Sequence, residues 1–316
     1  MDSKTILVTG GTGFLGSNLC EYLICRNERV ICLDNNRTGS SDNIAALRCH
    51  PNFVFISHDI CEPFEFEEKI DQIYNLACSA SPVHYQGKAA LSTIKTCSYG
   101  VINMLELAKK HNARILQAST SEVYGNPLMH PQTEEYFGNV NPIGVRACYD
   151  EGKRISETLF FDYHRQEGVE IKIVRVFNTY GPKMSVNDGR AVSNFICQSL
   201  LGADIEIYGD GSQTRSFCYV DDLIEAMVRM MDSSQKITGP INIGNPAEVT
   251  IKELAEEIKH KINRGRIVYR QLPQDDPVRR KPDITKAARY LDWTPKTELG
   301  EGLEKTIAYF RAKLEN

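Results

Sequence analysis

Tyr149 and Lys153 stand four residues apart in a stretch with helical patterning. That spacing puts both side chains on one helix face. A tyrosine with its ordinary pKa near ~10 is a poor base at neutral pH. A neighbouring ammonium favours the phenolate and makes it a usable one. Tyr-x-x-x-Lys also describes an ordinary amphipathic surface, so other residues must decide. Ser119-Thr120-Ser121-Glu122-Val123-Tyr124-Gly125 follows an apolar run that ends at Ala118. Three hydroxyls and a carboxylate there can bind a sugar and handle protons, or merely cap a polar turn. Near the N-terminus, Gly10, Gly13 and Gly16 form Gly-x-x-Gly-x-x-Gly. Such glycines permit a tight turn and a close approach of backbone to pyrophosphate. The helix that follows offers free N–H groups and a partial positive charge.

Those residues need elements to hold them. Thr5-Ile6-Leu7-Val8-Thr9 reads as a buried strand before the glycines. Leu15, Leu19, Leu23 and Ile24 mark a helix face after them. Arg29-Val30-Ile31-Cys32-Leu33-Asp34 reads as a second strand ending in an acid. Asp34 can accept from adenosine ribose hydroxyls and repel a 2′-phosphate, which favours NAD over NADP. Arg37 pulls the other way, as a phosphate partner or a solvated loop charge. Asp59-Ile60 follows a third strand over 53–56 and can meet the adenine edge or cap a turn. Further strands are expected over 72–76, 114–118 and 171–176, with helices over 89–111 and 148–166. Short apolar strands alternating with amphipathic helices predict a Rossmann-type doubly wound parallel sheet covered on both faces.

The alternation breaks down after about residue 178. Helices are expected at 190–201, 220–232, 251–262 and 299–314, with strands near 205–208 and 240–243. The chain therefore divides into an NAD-binding domain, 1–178, and a smaller C-terminal α/β substrate-binding lobe, 179–316. The boundary is soft, because later segments return to the first body.

Of 316 residues, 41% are hydrophobic and 25% charged, with net charge −4. These values exclude a disordered chain and give no basic excess for nucleic acid. No apolar run is long enough for a membrane helix, and the N-terminus lacks the layout of a signal peptide. None of the ten cysteines forms a Cys-x-x-Cys pair, and no histidine pair has metal-ligand spacing. That pattern predicts a reducing, cytoplasmic setting, no disulfides and no metal.

Taken together, the glycine motif, Thr120-Ser121-Glu122-Val123-Tyr124-Gly125 and Tyr149-x-x-x-Lys153 resemble the extended short-chain dehydrogenase/reductase superfamily. Longer strings resemble the UDP-glucuronate decarboxylase (UDP-xylose synthase) family. They include Asn141-Pro142-Ile143-Gly144-Val145-Arg146-Ala147-Cys148-Tyr149-Asp150-Glu151-Gly152-Lys153-Arg154 and Phe177-Asn178-Thr179-Tyr180-Gly181-Pro182. Asn187-Asp188-Gly189-Arg190, Gly211-Ser212-Gln213-Thr214-Arg215 and Arg279-Arg280-Lys281-Pro282-Asp283 belong with them. The resemblance spans about residues 4 to 314, without the N-terminal anchor of some members. Asn75-Leu76-Ala77-Cys78-Ser79-Ala80-Ser81-Pro82 stands where the family usually has His-Leu-Ala-Ser-Pro-Ala-Ser-Pro. That departure bears on substrate preference more than on the chemistry.

The resemblance implies oxidation of a UDP-sugar at C4, decarboxylation of the 4-keto acid, and reduction back to UDP-xylose. Tyr149 would exchange the 4-hydroxyl proton, Lys153 would lower the Tyr149 pKa, and Thr120 would hold the 4-oxygen. Related 4,6-dehydratases usually carry Asp-Glu where this chain has Ser121-Glu122. A neutral serine suits a substrate that brings its own carboxylate. Glu122 would position water or assist proton transfer, and Arg280 would lie near the sugar carboxylate. The implied cofactor residues are Gly10, Gly13, Phe14, Leu15, Gly16, Asp34, Asn35, Asp59, Ile60, Leu76, Tyr149 and Lys153. The implied substrate residues are Tyr85, Lys95, Asn178, Arg190, Tyr208 and Arg215. Helices near 89–111 and 145–166 would pair in a homodimer. A nucleotide-sugar 4-epimerase, a 4,6-dehydratase, a decarboxylase that releases the UDP-4-keto-pentose, and a non-catalytic dinucleotide sensor remain as alternatives.

Overall fold

The computed structural model describes residues 3–271 and 279–315. Six strands come from the first 176 residues. They are β1 (Thr5–Thr9), β2 (Arg29–Asp34), β3 (Phe53–Ser57), β4 (Gln72–Asn75), β5 (Arg114–Thr120) and β6 (Ile171–Val176). A seventh, Ile241–Ile243, joins them in one parallel sheet. The spatial order is Ile241–Ile243, β6, β5, β4, β1, β2, β3. The order reverses between β1 and β4, and a ligand crevice opens there at the strands' carboxyl ends.

Alternation along each strand divides the core. Ile6, Val8, Val30, Cys32, Tyr74, Leu116 and Val174 face one layer. Leu7, Ile31, Leu33, Ile73, Ile115, Ile171 and Ile173 face the other. Helix α1 (Phe14–Cys25) covers the first face with Leu19 and Leu23. A short α2 (Pro82–Tyr85) follows β4, started by a proline in its first turn. The helix expected over 89–111 is α3 (Ala90–Lys95), a π-helical turn at Thr96–Gly100, and α4 (Val101–His111). The wide turn leaves Cys97 and Gly100 buried. Asn112, at φ 50°, ends α4 in the left-handed region. Helix α5 (Ala147–Glu167) covers the second face and ends at Gly168, φ +69°.

Strand β5 runs two residues beyond the expected Ala118. Ser119 and Thr120 are therefore strand residues, and Ser121–Tyr124 is a single 3-10 turn. Next come β7 (Thr179–Tyr180), α6 (Ala191–Leu200), β8 (Ile205–Tyr208), β9 (Thr214–Ser216) and β10 (Cys218–Tyr219). They are followed by α7 (Val220–Asp232), β11 (Ile241–Ile243), β12 (Glu248–Thr250), α8 (Ile251–Ile262) and β13 (Ile267–Arg270). The described chain ends with β14 (Arg279–Arg280), α9 (Thr285–Leu291) and α10 (Leu299–Glu315). Strand β9 pairs with β12 and β14, and β8 with β13. Helix α7 packs on α1 and β6, so with β11 it returns to the first body. Buried Leu223 and Met227 share the core layer of α1.

The glycine turn lies on the segment leaving β4. Gly10 has φ +67°, and a Cβ there would stand 2.9 Å from the Ala77 Cα and N. The Leu76 and Ala77 N–H groups both donate to Thr9 Oγ1 at 3.1 Å. Gly10→Ala adds that clash to left-handed strain of about 1 kcal/mol or more. Gly168→Ala carries similar strain but meets nothing within 4 Å. Calorimetry should show Gly10→Ala lowering the unfolding midpoint by several degrees more than Gly168→Ala.

Candidate active site

A cavity of about 1110 Å³ opens at the strand ends, between the sheet and the C-terminal segments. Gly10, Gly13, Phe14, Leu15, Gly16, Asp34, Asn35, Asp59, Ile60 and Leu76 line one end. Tyr85, Thr120, Ser121, Glu122, Tyr149, Lys153 and Arg280 line the middle. Asn178, Arg190, Tyr208 and Arg215 line the rest. Lys95 is the exception among the expected residues. It ends α3, is exposed, and does not line the cavity.

The dinucleotide end is built from backbone and short side chains. Both Asp34 carboxylate oxygens are oriented by N–H donors, Thr12 at 3.0 Å and Asn36 at 2.7 Å. Burial would raise the Asp59 carboxyl, but the Cys61 N–H and the Asn35 amide outweigh it and hold the group low. Asp59 thus caps a turn and also faces the cavity. A Cβ at Gly16 would strike the Gly10 carbonyl, so the turn and α1 pack too closely for any side chain. This cradle fits a dinucleotide pyrophosphate, with Asp34 at the right strand end for a ribose.

Helix α5 carries the proton-handling pair. The Lys153 ammonium donates to the Ala118 carbonyl at 2.8 Å and lies 5.9 Å from the centre of the Tyr149 ring. Tyr85 stacks on Tyr149 with ring centres 4.8 Å apart and planes within 7°. Burial pushes the Tyr149 phenol well above its ordinary pKa, and negative charge at Cys78 adds to this. A hydrogen bond with Thr120 acts in the opposite direction. The net direction reverses the lowering expected from Lys153, because burial penalises the phenolate more strongly.

Glu122 sits between two guanidinium groups. Arg146 donates to it at 2.7 Å and Arg280 makes a close ion pair on the other side. Burial would raise the Glu122 carboxyl, but Arg280 and then Arg146 hold it at about 2. Arg280 is 3% exposed. It also donates to the Gly125 carbonyl at 3.1 Å and reaches Ser121 Oγ at 3.4 Å. Arg190 pairs with Asp188, Nη2 to Oδ1 at 2.8 Å, and lies 5.8 Å from the Phe14 ring centre. Arg215 donates to the Thr214 carbonyl at 2.9 Å.

Two residues of this cluster escaped the sequence reading. Arg146 lies three residues before Tyr149, so on a helix start it shares that face. Asp150 is buried beside Tyr149, and its Oδ1 has no hydrogen-bond partner. Burial and the nearby Glu122 charge push the Asp150 carboxyl up to about 7. Among the described residues, no group of three His, Cys, Asp or Glu side chains could hold a metal. No described helix is long and apolar enough to cross a membrane.

The family model described as GDP-mannose 4,6 dehydratase matches residues 7–306. UDP-glucuronic acid decarboxylase 6 of Arabidopsis thaliana is 56% identical, over 98% of this chain and 89% of its own length. UDP-glucuronic acid decarboxylase 1 of Xenopus tropicalis is 51% identical, over 100% of this chain and 74% of its own. This chain belongs to the UDP-glucuronic acid decarboxylase family. That family sits within the extended short-chain dehydrogenase/reductase superfamily. Solved relatives of the decarboxylase family share the fold. A UDP-glucuronic acid 4-epimerase from Bacillus cereus, in complex with UDP-glucuronic acid and NAD, has TM-score 0.88 and 27% identity. The alignment covers 98% of this chain and 99% of that one. A UDP-glucose 4-epimerase from Thermotoga maritima with UDP-glucose has TM-score 0.89 and 28% identity, over 98% and 99%.

Asp150 yields a pH prediction. Its folded pKa lies above the unfolded value of ~3.9, so the folded state holds the proton more tightly. Stability falls as pH rises from about 4 through about 7. Asp150→Asn removes that loss. Its unfolding midpoint should gain on the wild type between pH 5 and pH 7.5, by the equivalent of about 1–3 kcal/mol.

Proposed function

We propose that this chain is an NAD-dependent UDP-glucuronate decarboxylase that makes UDP-xylose. One observation carries the reading. Arg280 is buried against Ser121 and Glu122 in the cavity that also holds Thr120, Tyr149 and Lys153. A guanidinium fork there matches a sugar carboxylate beside the C4 hydroxyl. The family membership and the UDP-glucuronic acid bound by the Bacillus cereus relative support the same substrate.

NAD, when bound, supplies a reversible two-electron acceptor for oxidation at C4. Gly10, Gly13, Phe14, Leu15, Gly16, Asp34, Asn35, Asp59, Ile60 and Leu76 would hold it, with Lys153 toward its nicotinamide end. Thr120 holds the 4-oxygen, and Tyr149 takes the 4-hydroxyl proton and later returns it. Burial opposes phenolate in Tyr149, so a bound positive charge has work to do there. A ketone at C4 makes the substrate a β-keto acid, which loses CO₂ readily. Glu122 is held ionised, so it acts near neutral pH as an acceptor that positions water. Arg280 can turn toward the substrate carboxylate while Arg146 still holds Glu122. Tyr85 supports the Tyr149 ring. Asn178, Arg190, Tyr208 and Arg215 would hold the nucleotide diphosphate.

The reading includes a homodimer. Leu91, Ile94, Tyr99 and Ile155 are exposed apolar residues on the helices expected to pair. It also includes a cytoplasmic setting, the expectation drawn from the cysteine spacing.

Incubation with UDP-glucuronate and NAD⁺, followed by proton NMR, should give UDP-xylose with little net NADH. Stoichiometric NADH with a 4-keto pentose would instead mark a decarboxylase that releases its intermediate. Turnover of UDP-glucose or UDP-galactose alone would replace the decarboxylase with an epimerase. Tyr149→Phe should lose at least 10²-fold in kcat with folding intact; a sensor would keep its ligand response. In light scattering, the wild type should weigh as a dimer, and Leu91→Glu with Ile155→Glu should shift it toward monomer.

A further inference from the structure

Cys78 lines the cavity just after β4, and its Sγ lies 3.4 Å from Cys97 Sγ. Cys97 is 1% exposed in the π-helical turn. A Cβ built on Gly152 of α5 would stand 3.0 Å from Cys97 Cβ and 3.1 Å from its sulfur. The Ser156 hydroxyl donates to the Cys97 carbonyl at 2.8 Å. Cys97 is thus fixed against the helix that carries Lys153. Cys78 follows the Ala77 backbone that lies on Gly10, and its Sγ is 3.6 Å from the Ser79 carbonyl.

We propose that Cys78 and Cys97 form an oxidation site for small hydroperoxides inside the active-site cavity. Cys78 is the attacking thiol, because it faces the cavity and Cys97 does not. With Cys78 as the thiolate, Cys97 is the only one of the two that can donate across the 3.4 Å contact, and that hydrogen bond and the Lys153 ammonium act against burial. Together they hold the Cys78 thiol at about 7, below its ordinary range. Thiolate is the reactive form of cysteine. The nearby Cys148 donates instead to the Tyr85 carbonyl, at 3.3 Å.

The chemistry balances in two steps. The Cys78 thiolate attacks one peroxide oxygen; an S–O bond forms, the O–O bond breaks, and the departing alkoxide or hydroxide takes a proton. Cys97 then loses its proton and attacks the Cys78 sulfur. The S–S bond forms, the S–O bond breaks, and hydroxide leaves with that proton as water. The two sulfurs give up two electrons, and the peroxide accepts them.

A disulfide requires the sulfurs to close by roughly 1.4 Å, to about 2.05 Å. Cys97 is pinned, so the 76–78 segment must yield. Its Ala77 backbone lies under Gly10. Oxidation should therefore weaken dinucleotide binding. That consequence rests on the NAD reading above; the disulfide does not. Binding is the better readout than turnover, because loss of the Cys78 charge by itself favours the Tyr149 phenolate.

The test treats the reduced 316-residue chain with hydrogen peroxide and maps its peptides by mass spectrometry. NAD affinity is measured by calorimetry before oxidation, after it, and after dithiothreitol. The expected result is a Cys78–Cys97 linked peptide, formed at least tenfold faster than oxidation of the exposed Cys25 and Cys49. NAD binding should weaken at least tenfold and recover with dithiothreitol. Cys97→Ala should stop at a Cys78 sulfenic acid that dimedone traps. Unlinked peptides, or linkage no faster than oxidation of the exposed thiols, would overturn the site. Linkage with unchanged NAD affinity would overturn the coupling to Gly10. Reduced protein that does not bind NAD would sink the cofactor reading, while the linked peptide still decides the dithiol.

Discussion

The buried hydrogen bond from the Lys153 ammonium to the Ala118 carbonyl ties α5 to the end of β5. Much of the site depends on that tie. It sets the rotation of α5, and so sets Tyr149, one turn earlier, against Thr120 at the strand end. A lysine this buried must have a good acceptor, because an unpaired ammonium in a protein interior is costly. The strand supplies one at Ala118, the residue after its last pairing with β4. Tyr85 then closes the other face of the Tyr149 ring, so the phenol has little room to swing.

A second constraint is charge. Glu122, Arg146, Arg280 and Asp150 share a small volume with Tyr149 and Tyr85. Two guanidinium groups hold one carboxylate ionised, and that anion helps keep the neighbouring Asp150 protonated to a higher pH. Two carboxyl groups thus behave oppositely within one site, because one is paired with cations and the other is buried beside that anion. A substrate carboxylate entering here meets a cation that already has a partner. Arg146 makes the exchange possible without leaving Glu122 unpaired.

The crevice also depends on contacts between distant stretches of backbone. Gly10 lies on Ala77, and Thr9 Oγ1 receives both N–H groups of that segment. Behind it, Thr9 donates to Asn75 at 2.8 Å, and the Asn75 amide donates to Gln117 at 2.8 Å. This buried chain joins β1, β4 and β5 at their carboxyl ends. Asn75 therefore serves as a hydrogen-bonded spacer, which gives a physical role to one departure from the usual family string. Cys78, the next departure, is placed by the same segment.

Much of this was legible in the sequence. The strand–glycine–helix–strand opening, the apolar runs of the sheet and the Tyr149–Lys153 spacing are local patterns, and local patterns follow from backbone geometry. The expected site residues came from motif strings, strand ends and the family resemblance, and all but Lys95 line the cavity. Lys95 does not, because one position on a helix decides whether a side chain faces the crevice or the solvent. The π-helical turn and the small β9–β12–β14 sheet were not legible, and the expected return of later segments was not tied to β11, since each depends on partners far away in the chain. By itself the sequence determined the fold class, the cofactor cradle and which residues can do chemistry, because hydrophobic periodicity and glycine sterics act locally. Only the tertiary structure decided the protonation of Glu122, Asp150 and Tyr149 and the meeting of Cys78 with Cys97. Burial and charge proximity are properties of neighbours in space, and no spacing along the chain encodes them.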